Sequence, residues 1–162
     1  MRIAVSACLL GETCRYDGRS KPCARVQELV ALGHELVPIC PEVAGGLPTP
    51  RTPCEIVQAP WMESEKTHTA NEHSWTILDA NGTDRTAAYA RGAQAELARA
   101  KEAGCELAIL KAKSPSCGSG EVYDGTFSGT LVPGWGIAAA AFRDAGIAVI
   151  DETADFSRLS RV

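Results

Sequence analysis

Four short apolar runs, set between stretches of helical periodicity, constrain this chain more than any other feature. They are Arg2–Ala7 (RIAVSA), Glu35–Cys40 (ELVPIC), Glu106–Lys111 (ELAILK) and Ile147–Ile150 (IAVI). Runs this short, rich in Ile, Val and Leu, read as buried strands. A segment beginning near Pro22 carries Val26, Leu29, Val30 and Leu32 and stops at Gly33. Proline at the start and glycine past the end suit a helix. Asp84 can cap a second helix running to about Ala103, with Ala90, Ala93, Leu97 and Ala100 in one stripe and Gly104 behind it. A third helix, over about Trp135–Ala145, places Ile137, Ala141, Phe142 and Ala145 on one face and ends at Gly146. Strands alternating with helices predict an α/β fold, a single-domain Rossmann-like parallel sheet covered by helices. Pro38 cannot donate to a ladder, so Glu35–Cys40 belongs at an edge or ends early.

Two stretches break the alternation. Residues 41–53, PEVAGGLPTPRTP, hold four prolines and two glycines and read as a loop with fixed turns. Residues 112–134 form a second Gly/Ser/Pro-rich loop. Long ordered loops in small domains are usually functional. Glu55–Gln58 and Thr76–Asp79 read as two short strands of a small hairpin insertion, with a turn signal at Asn81-Gly82. Residues 59–75, which include Trp61, Met62, His68, His73 and Trp75, show no clear period. The 162 residues suit one domain spanning 1–162. No apolar run is long enough for a membrane span. The N-terminal apolar stretch is too short for a secretion signal, so a cytoplasmic location is expected. A net charge of −4 gives no support for tight binding to a nucleic-acid backbone. A small molecule is the expected partner.

The chain has seven cysteines, at 8, 14, 23, 40, 54, 105 and 117. The odd number and the reducing compartment argue against a disulfide framework. Buried small hydrophobes are one reading of them; a metal or redox site is the other. Sites in open parallel sheets form outside the carboxyl ends of the strands. Cys8 follows the first strand, Cys40 ends the second, and Cys117 lies just past the third. These three thiols are expected on one edge, and Cys14 is close enough in sequence to reach it. Cys105 opens the third strand at the opposite edge, Cys23 starts a helix, and Cys54 follows a proline turn. Thiolates select zinc, copper(I) or an iron–sulfur cluster. The paired C-x2-C knuckles of structural zinc are missing, as is a redox C-x-x-C. A cluster held by three cysteines leaves one iron open to substrate. Glu42, two residues past Cys40, is placed either to act as a general acid/base or to stabilise its loop. Arg15 and Tyr16, with Asp17, Ser20 and Lys21, either hold a polar substrate or form a solvated loop. Ser114 and Ser116, with Gly118 to Gly120, surround Cys117 and can present backbone N–H groups to an anion.

SACLLG around Cys8, CRYDG at 14–18, CPEVAGGLPTPR at 40–51 and LKAKSPSCGSG at 110–120 together resemble the thiouracil desulfidase family, formerly a bacterial domain of unknown function. The resemblance spans the chain. It implies a [4Fe–4S] enzyme that removes sulfur from thiouracil-type pyrimidines, giving uracil and hydrosulfide by hydrolysis without net redox change. It also implies that Cys8, Cys40 and Cys117 are the cluster ligands and that Glu42 is the catalytic carboxylate. Many relatives carry Ser where this chain has Ala112, so either substrate preference differs or Ser114, Ser116 or a water stands in for that hydroxyl. Relatives often carry Ala at the position of Cys54, which counts against Cys54 as a ligand. A non-catalytic sulfur or iron carrier, or a plain zinc protein, is the alternative reading.

Overall fold

The structure is a computed structural model that describes residues 1–58 and 75–159. Trp61, Met62, His68 and His73 lie outside the described residues. The elements in chain order are β1 (Arg2–Ser6), α1 (Ala24–Gln27), β2 (Glu35–Ile39), α2 (Pro41–Ala44), β3 (Cys54–Gln58), β4 (Thr76–Asp79), α3 (Thr86–Glu102), β5 (Leu107–Leu110), β6 (Ser119–Tyr123), β7 (Leu131–Trp135), α4 (Ile137–Asp144) and β8 (Ala148–Asp151). A 3₁₀ turn, Ala7–Leu10, follows β1, and another, Glu28–Leu32, follows α1.

The expected parallel sheet forms in the order β2-β1-β5-β8, with every pairing parallel. β2 is an edge strand, which is where Pro38 fits a ladder without breaking one. Alternation along β1 and β5 divides the core between two faces. Ala4, Ala108 and Leu110 pack with Leu97, Ala100, Ala139 and Phe142 from α3 and α4. Ile3, Val5, Leu107 and Ile109 pack on the other face with Leu9, Val26, Leu29 and Phe156. β3 and β4 pair antiparallel as the hairpin insertion. Their Ile56 and Ile77 pack with Tyr89 and Ala93 of α3 and Ile137 and Ala138 of α4. No helix among the described residues is long and apolar enough to cross a membrane.

Three elements differ from expectation. The helix predicted up to Gly33 is α-helical for only Ala24–Gln27 and then tightens into the 3₁₀ turn. The proline-rich stretch 41–53 is not loop throughout, because Pro41 occupies the first position of α2, where a missing N–H costs nothing. The second loop, 112–134, contains the β6–β7 hairpin, with Ser119 opposite Trp135 and Tyr123 opposite Leu131. The cap expected of Asp84 falls one residue on: Arg85 is the residue that caps α3, and without a side-chain bond, while Asp84 Oδ1 accepts the Thr86 N–H at 2.8 Å in a turn just before the helix.

Candidate functional site

The carboxyl ends of β1, β2 and β5 carry most of the polar chemistry. β1 ends at Ser6, and Cys8 sits in the tight turn behind it, buried. β2 ends at Ile39, and Cys40 lies between that strand and α2 with its N–H on Glu96 Oε1 at 3.4 Å. Glu96 is itself buried and pairs with Arg99 at 3.2 Å. The half-buried Cys14 follows in the next loop, and the ionisation of its thiol responds to both Cys40 and Cys8.

Cys117 is placed by another part of the fold. Its loop sits on the N-terminus of α4. Ile137 donates its N–H to Pro115 O at 2.9 Å, and Ala138 and Ala139 donate to Ser116 O at 2.9 and 3.0 Å. These bonds satisfy helix donors that would otherwise be orphaned. The approach is so close that a Cβ at Gly136 would lie 2.6 Å from Ser116 O and 2.8 Å from Cys117 N. Lys113, just before this loop, adopts the left-handed φ of 69°, which non-glycine residues rarely do. Ser114 Oγ accepts the N–H groups of Ser116 (3.2 Å) and Cys117 (3.0 Å), so it shapes the turn. Two hydroxyls bear on the Cys117 sulfur. Ser116 Oγ lies 3.5 Å away. Ser6, whose oxygen also accepts the Lys111 N–H at 2.9 Å, is the other.

Glu42 stands beside this sulfur. Tyr89 Oη donates to its Oε1 at 2.5 Å. Ser116 Oγ is 3.3 Å from its Oε2, and Arg51 Nε is 3.5 Å from Oε1. Tyr89 is 1% exposed, and the Arg51 and Glu42 side chains are 5% and 17% exposed. The rest of the Arg51 guanidinium grips backbone, with Nη2 on Cys14 O at 2.8 Å and Nη1 on Pro48 O at 3.2 Å. Its buried Nε–H has no hydrogen-bond acceptor among the described residues and directs its charge at Glu42. Glu42 reaches this position because α2 lies directly on α3. A Cβ at Gly92 would overlap Pro41 O, and one at Gly45 would overlap Ala88 O.

Burial governs the thiol ionisation. It pushes the Cys117 thiol up to about 12, against the two hydroxyl donors. At Cys14 the bond to Cys40 acts downward, but the bond to Cys8 and burial outweigh it and push the thiol up to about 11. The Cys14 hydrogen bond and then burial also raise Cys40. Burial, with the charge of Glu42, keeps Tyr89 protonated well above its ordinary range. These thiols therefore stay protonated until a metal takes the place of the proton.

Chain-wide comparison agrees with this geometry. The sequence profile of the 2-thiouracil desulfurase family matches residues 3–154. The chain belongs to the 2-thiouracil desulfurase family. Among its relatives is the uncharacterized protein YbbK of Bacillus subtilis (strain 168), 43% identical over 150 residues, which are 93% of this chain and 95% of that one. A solved structure described as a [4Fe–4S]-dependent thiouracil desulfidase, TudS, is 40% identical and superposes with a TM-score of 0.76, covering 94% of this chain and 91% of that one.

The donors present fit such a cluster in a family member of this kind. They are soft thiols on separate segments, with hydroxyl donors on one sulfur. No three His, Cys, Asp or Glu side chains among the described residues are arranged to hold a single metal ion. A cuboidal cluster does not need that arrangement, because each thiolate binds a different iron. The sequence pointed to Glu42, Ser114, Ser116, Cys8, Cys40 and Cys117, and all lie at this edge. Arg15 pairs with Asp17 at 3.8 Å. Tyr16 is 43% exposed, and its carbonyl accepts the Arg51 N–H at 2.7 Å. Cys54 donates to Thr52 O at 3.6 Å. Ala112 has no hydroxyl to offer, and its N–H is held by Glu152 Oε2 at 2.8 Å. Sequence reasoning missed Ser6, Arg51, Tyr89 and Glu96. Glu96 alone left a signal, as a carboxylate next to Leu97 in an otherwise apolar stripe.

Proposed function

We propose that this chain is a [4Fe–4S]-dependent thiouracil desulfidase that hydrolyses the C–S bond of a thiolated pyrimidine, releasing uracil and hydrosulfide. The observation that carries the reading is the shared hydroxyl of Ser116, in contact with both the Glu42 carboxylate and the Cys117 sulfur. That a carboxylate and a thiol share one hydroxyl supports reading them as a base beside a metal-binding sulfur.

Cys8, Cys40 and Cys117 would hold the cluster, which when bound supplies a sulfur-seeking Lewis acid for the thiocarbonyl. The remaining work falls to the chain. Glu42 takes a proton from water at the ring carbon. Tyr89 fixes one carboxylate oxygen, so the other, Oε2, faces the reacting atoms. Arg51 holds countercharge behind the carboxylate, and Ser116 Oγ lies close enough to orient the substrate ring or the water. The reaction balances as thiocarbonyl plus water giving carbonyl plus hydrogen sulfide, and no electron is gained or lost.

The test is sulfide release from 2- and 4-thiouracil by anaerobically reconstituted protein in water enriched in ¹⁸O. One labelled oxygen is expected in the uracil. Glu42→Ala should keep its iron and lose about 10²–10⁴-fold in kcat, the usual share of a general base. A loaded protein that releases no sulfide would instead be a carrier.

A further inference from the structure

One side chain ties the turn at residues 14–19 to the proposed base. The turn closes on itself. Arg15 donates its N–H to Arg19 O at 3.2 Å, Gly18 to Arg15 O at 2.9 Å, and Arg19 to Asp17 Oδ1 at 3.0 Å. Beyond it, Lys21 N–H on Cys8 O and Cys23 N–H on Leu9 O fasten one end of the segment. Among the described residues, Arg51 fastens the rest. Its backbone N–H binds Tyr16 O at 2.7 Å and its Nη2 binds Cys14 O at 2.8 Å, while Gly18 lies against Pro50. Nη1 holds the same guanidinium to Pro48 O and Thr49 Oγ1 at 3.2 and 3.1 Å. The remaining donor, Nε, lies 3.5 Å from Glu42 Oε1 and has no hydrogen-bond acceptor among the described residues. A side chain that is 5% exposed thus spans three segments, and Glu42 is the carboxylate it meets. The turn it holds carries Tyr16, 43% exposed, with the Arg15 guanidinium 5.9 Å from its ring centre. An exposed aromatic face beside a cation suits a flat, polar ring such as a pyrimidine.

We propose that Arg51 is a positioning residue that locks the Cys14–Arg19 turn to the base, so that the surface meeting the pyrimidine, Tyr16 included, is held in register with Glu42. The proposal rests on the desulfidase reading of this edge and gives Arg51 a share in substrate binding. Its two roles divide by chemistry. Charge beside Glu42 needs only a cation, and it bears on turnover. Gripping Cys14 O while facing Glu42 needs the planar fork, which an ammonium lacks. A turn released from that grip spends less time in the arrangement that binds, and the apparent affinity falls by that fraction. The result is a higher KM with the chemical step untouched.

The experiment compares wild type, Arg51→Lys, Arg51→Met and Tyr16→Ala as anaerobically reconstituted full chains at matched iron content. Two readouts are taken: steady-state sulfide release from 2-thiouracil, and hydrogen–deuterium exchange of peptides covering residues 14–22 and 48–53. Arg51→Met should raise KM and lower kcat, each about tenfold or more, the low end for a lost bond to a charged group. Arg51→Lys should recover most of that kcat and little of the KM, and Tyr16→Ala should raise KM alone. Exchange of both peptides should rise in both Arg51 variants, while β1 and β5 stay protected. A fall in kcat alone in Arg51→Met, with KM and exchange as in wild type, overturns the proposal and leaves Arg51 as countercharge only. A wild-type KM in Tyr16→Ala also overturns it. Should Arg51→Met lose protection in β1 and β5 as well, Arg51→Lys and Tyr16→Ala decide the matter alone. Exchange unchanged in both Arg51 variants refutes the lock by itself. No sulfide from loaded wild type, with exchange rising as expected, overturns the parent function instead, which separates the two failures.

Discussion

Tyr89→Phe isolates the contribution of one hydrogen bond to the proposed base. Tyr89 is 1% exposed, and its hydroxyl donates to Glu42 Oε1 at 2.5 Å. Phenylalanine fills the same volume, so no cavity opens and the ring keeps its packing against Ile56, Ile77 and Ala93. What is lost is a short, charge-assisted bond. A hydrogen bond to a charged group is worth about 1.5–3 kcal/mol, which converts to roughly 10- to 150-fold. Ser116 and Arg51 remain beside the carboxylate, which argues for the lower half of that span. The assay is steady-state sulfide release from 2-thiouracil at matched iron content. The expected result is a fall in kcat with KM nearly unchanged, since Tyr89 faces Glu42 rather than open solvent. Turnover within twofold of wild type, at equal loading, would refute the view that Tyr89 sets the working position of Glu42. So would a variant that loses its iron, because that would place Tyr89 in cluster assembly.

Other outcomes follow from the same contacts. Each of Cys8→Ala, Cys40→Ala and Cys117→Ala should fail to retain iron after anaerobic reconstitution and desalting; full iron in any one removes that residue from the ligand set. Gly92→Ala puts a methyl against Pro41 O, so α2 must move. Overpacking of this kind costs about 1–3 kcal/mol, read by urea denaturation, and kcat should fall because Glu42 moves with α2. Burial alone would raise the Asp79 carboxyl, but the N–H groups of Thr83 and Asn81, with Arg85, outweigh it and hold it below the usual range. A lowered folded-state value stabilises above the unfolded value of about 4 and is lost as pH falls through the folded one. Asp79→Asn should therefore flatten the acid side of the stability profile, and an unchanged slope between about pH 3 and 5 would contradict this.

The sheet and the three thiols at its carboxyl edge were legible because both follow from local signals. Period-two and apolar runs mark strands, and the parallel arrangement dictates which strand ends face a ligand. Pro38 even marked its strand as an edge. The short α2 was hidden by its prolines and glycines, whose usual meaning is loop. Here Pro41 begins a helix and Gly45 lets that helix touch α3, and only the tertiary contact distinguishes the two meanings. The β6–β7 hairpin was hidden for a related reason: Gly120, Pro133 and Gly134 lie inside its strands. Tyr89 was invisible as a site residue because it extends the apolar stripe through Ala93 and Leu97. Arg51 sits in a proline-rich loop, and nothing local shows that its guanidinium folds back over Cys14.

The two halves of the site are fixed by separate devices, and their failures should therefore differ. One face of α3 carries Tyr89, Gly92 and Glu96 at spacings of three and four, which bring side chains into line on a helix. Tyr89 holds Glu42, Gly92 admits Pro41, and Glu96 accepts the Cys40 N–H. Damage to that face should displace the proposed base and one thiol together. Cys117 depends instead on the N-terminus of α4, on Gly136 and on the hydroxyls of Ser6 and Ser116. Hydrogen bonds to a ligand sulfur tune the potential of an iron–sulfur cluster. Changes around Cys117 should register in the potential while Glu42 stays in place, and changes on α3 should register in kcat. Ser116 touches both Glu42 and Cys117, so it is the residue whose substitution should disturb both at once.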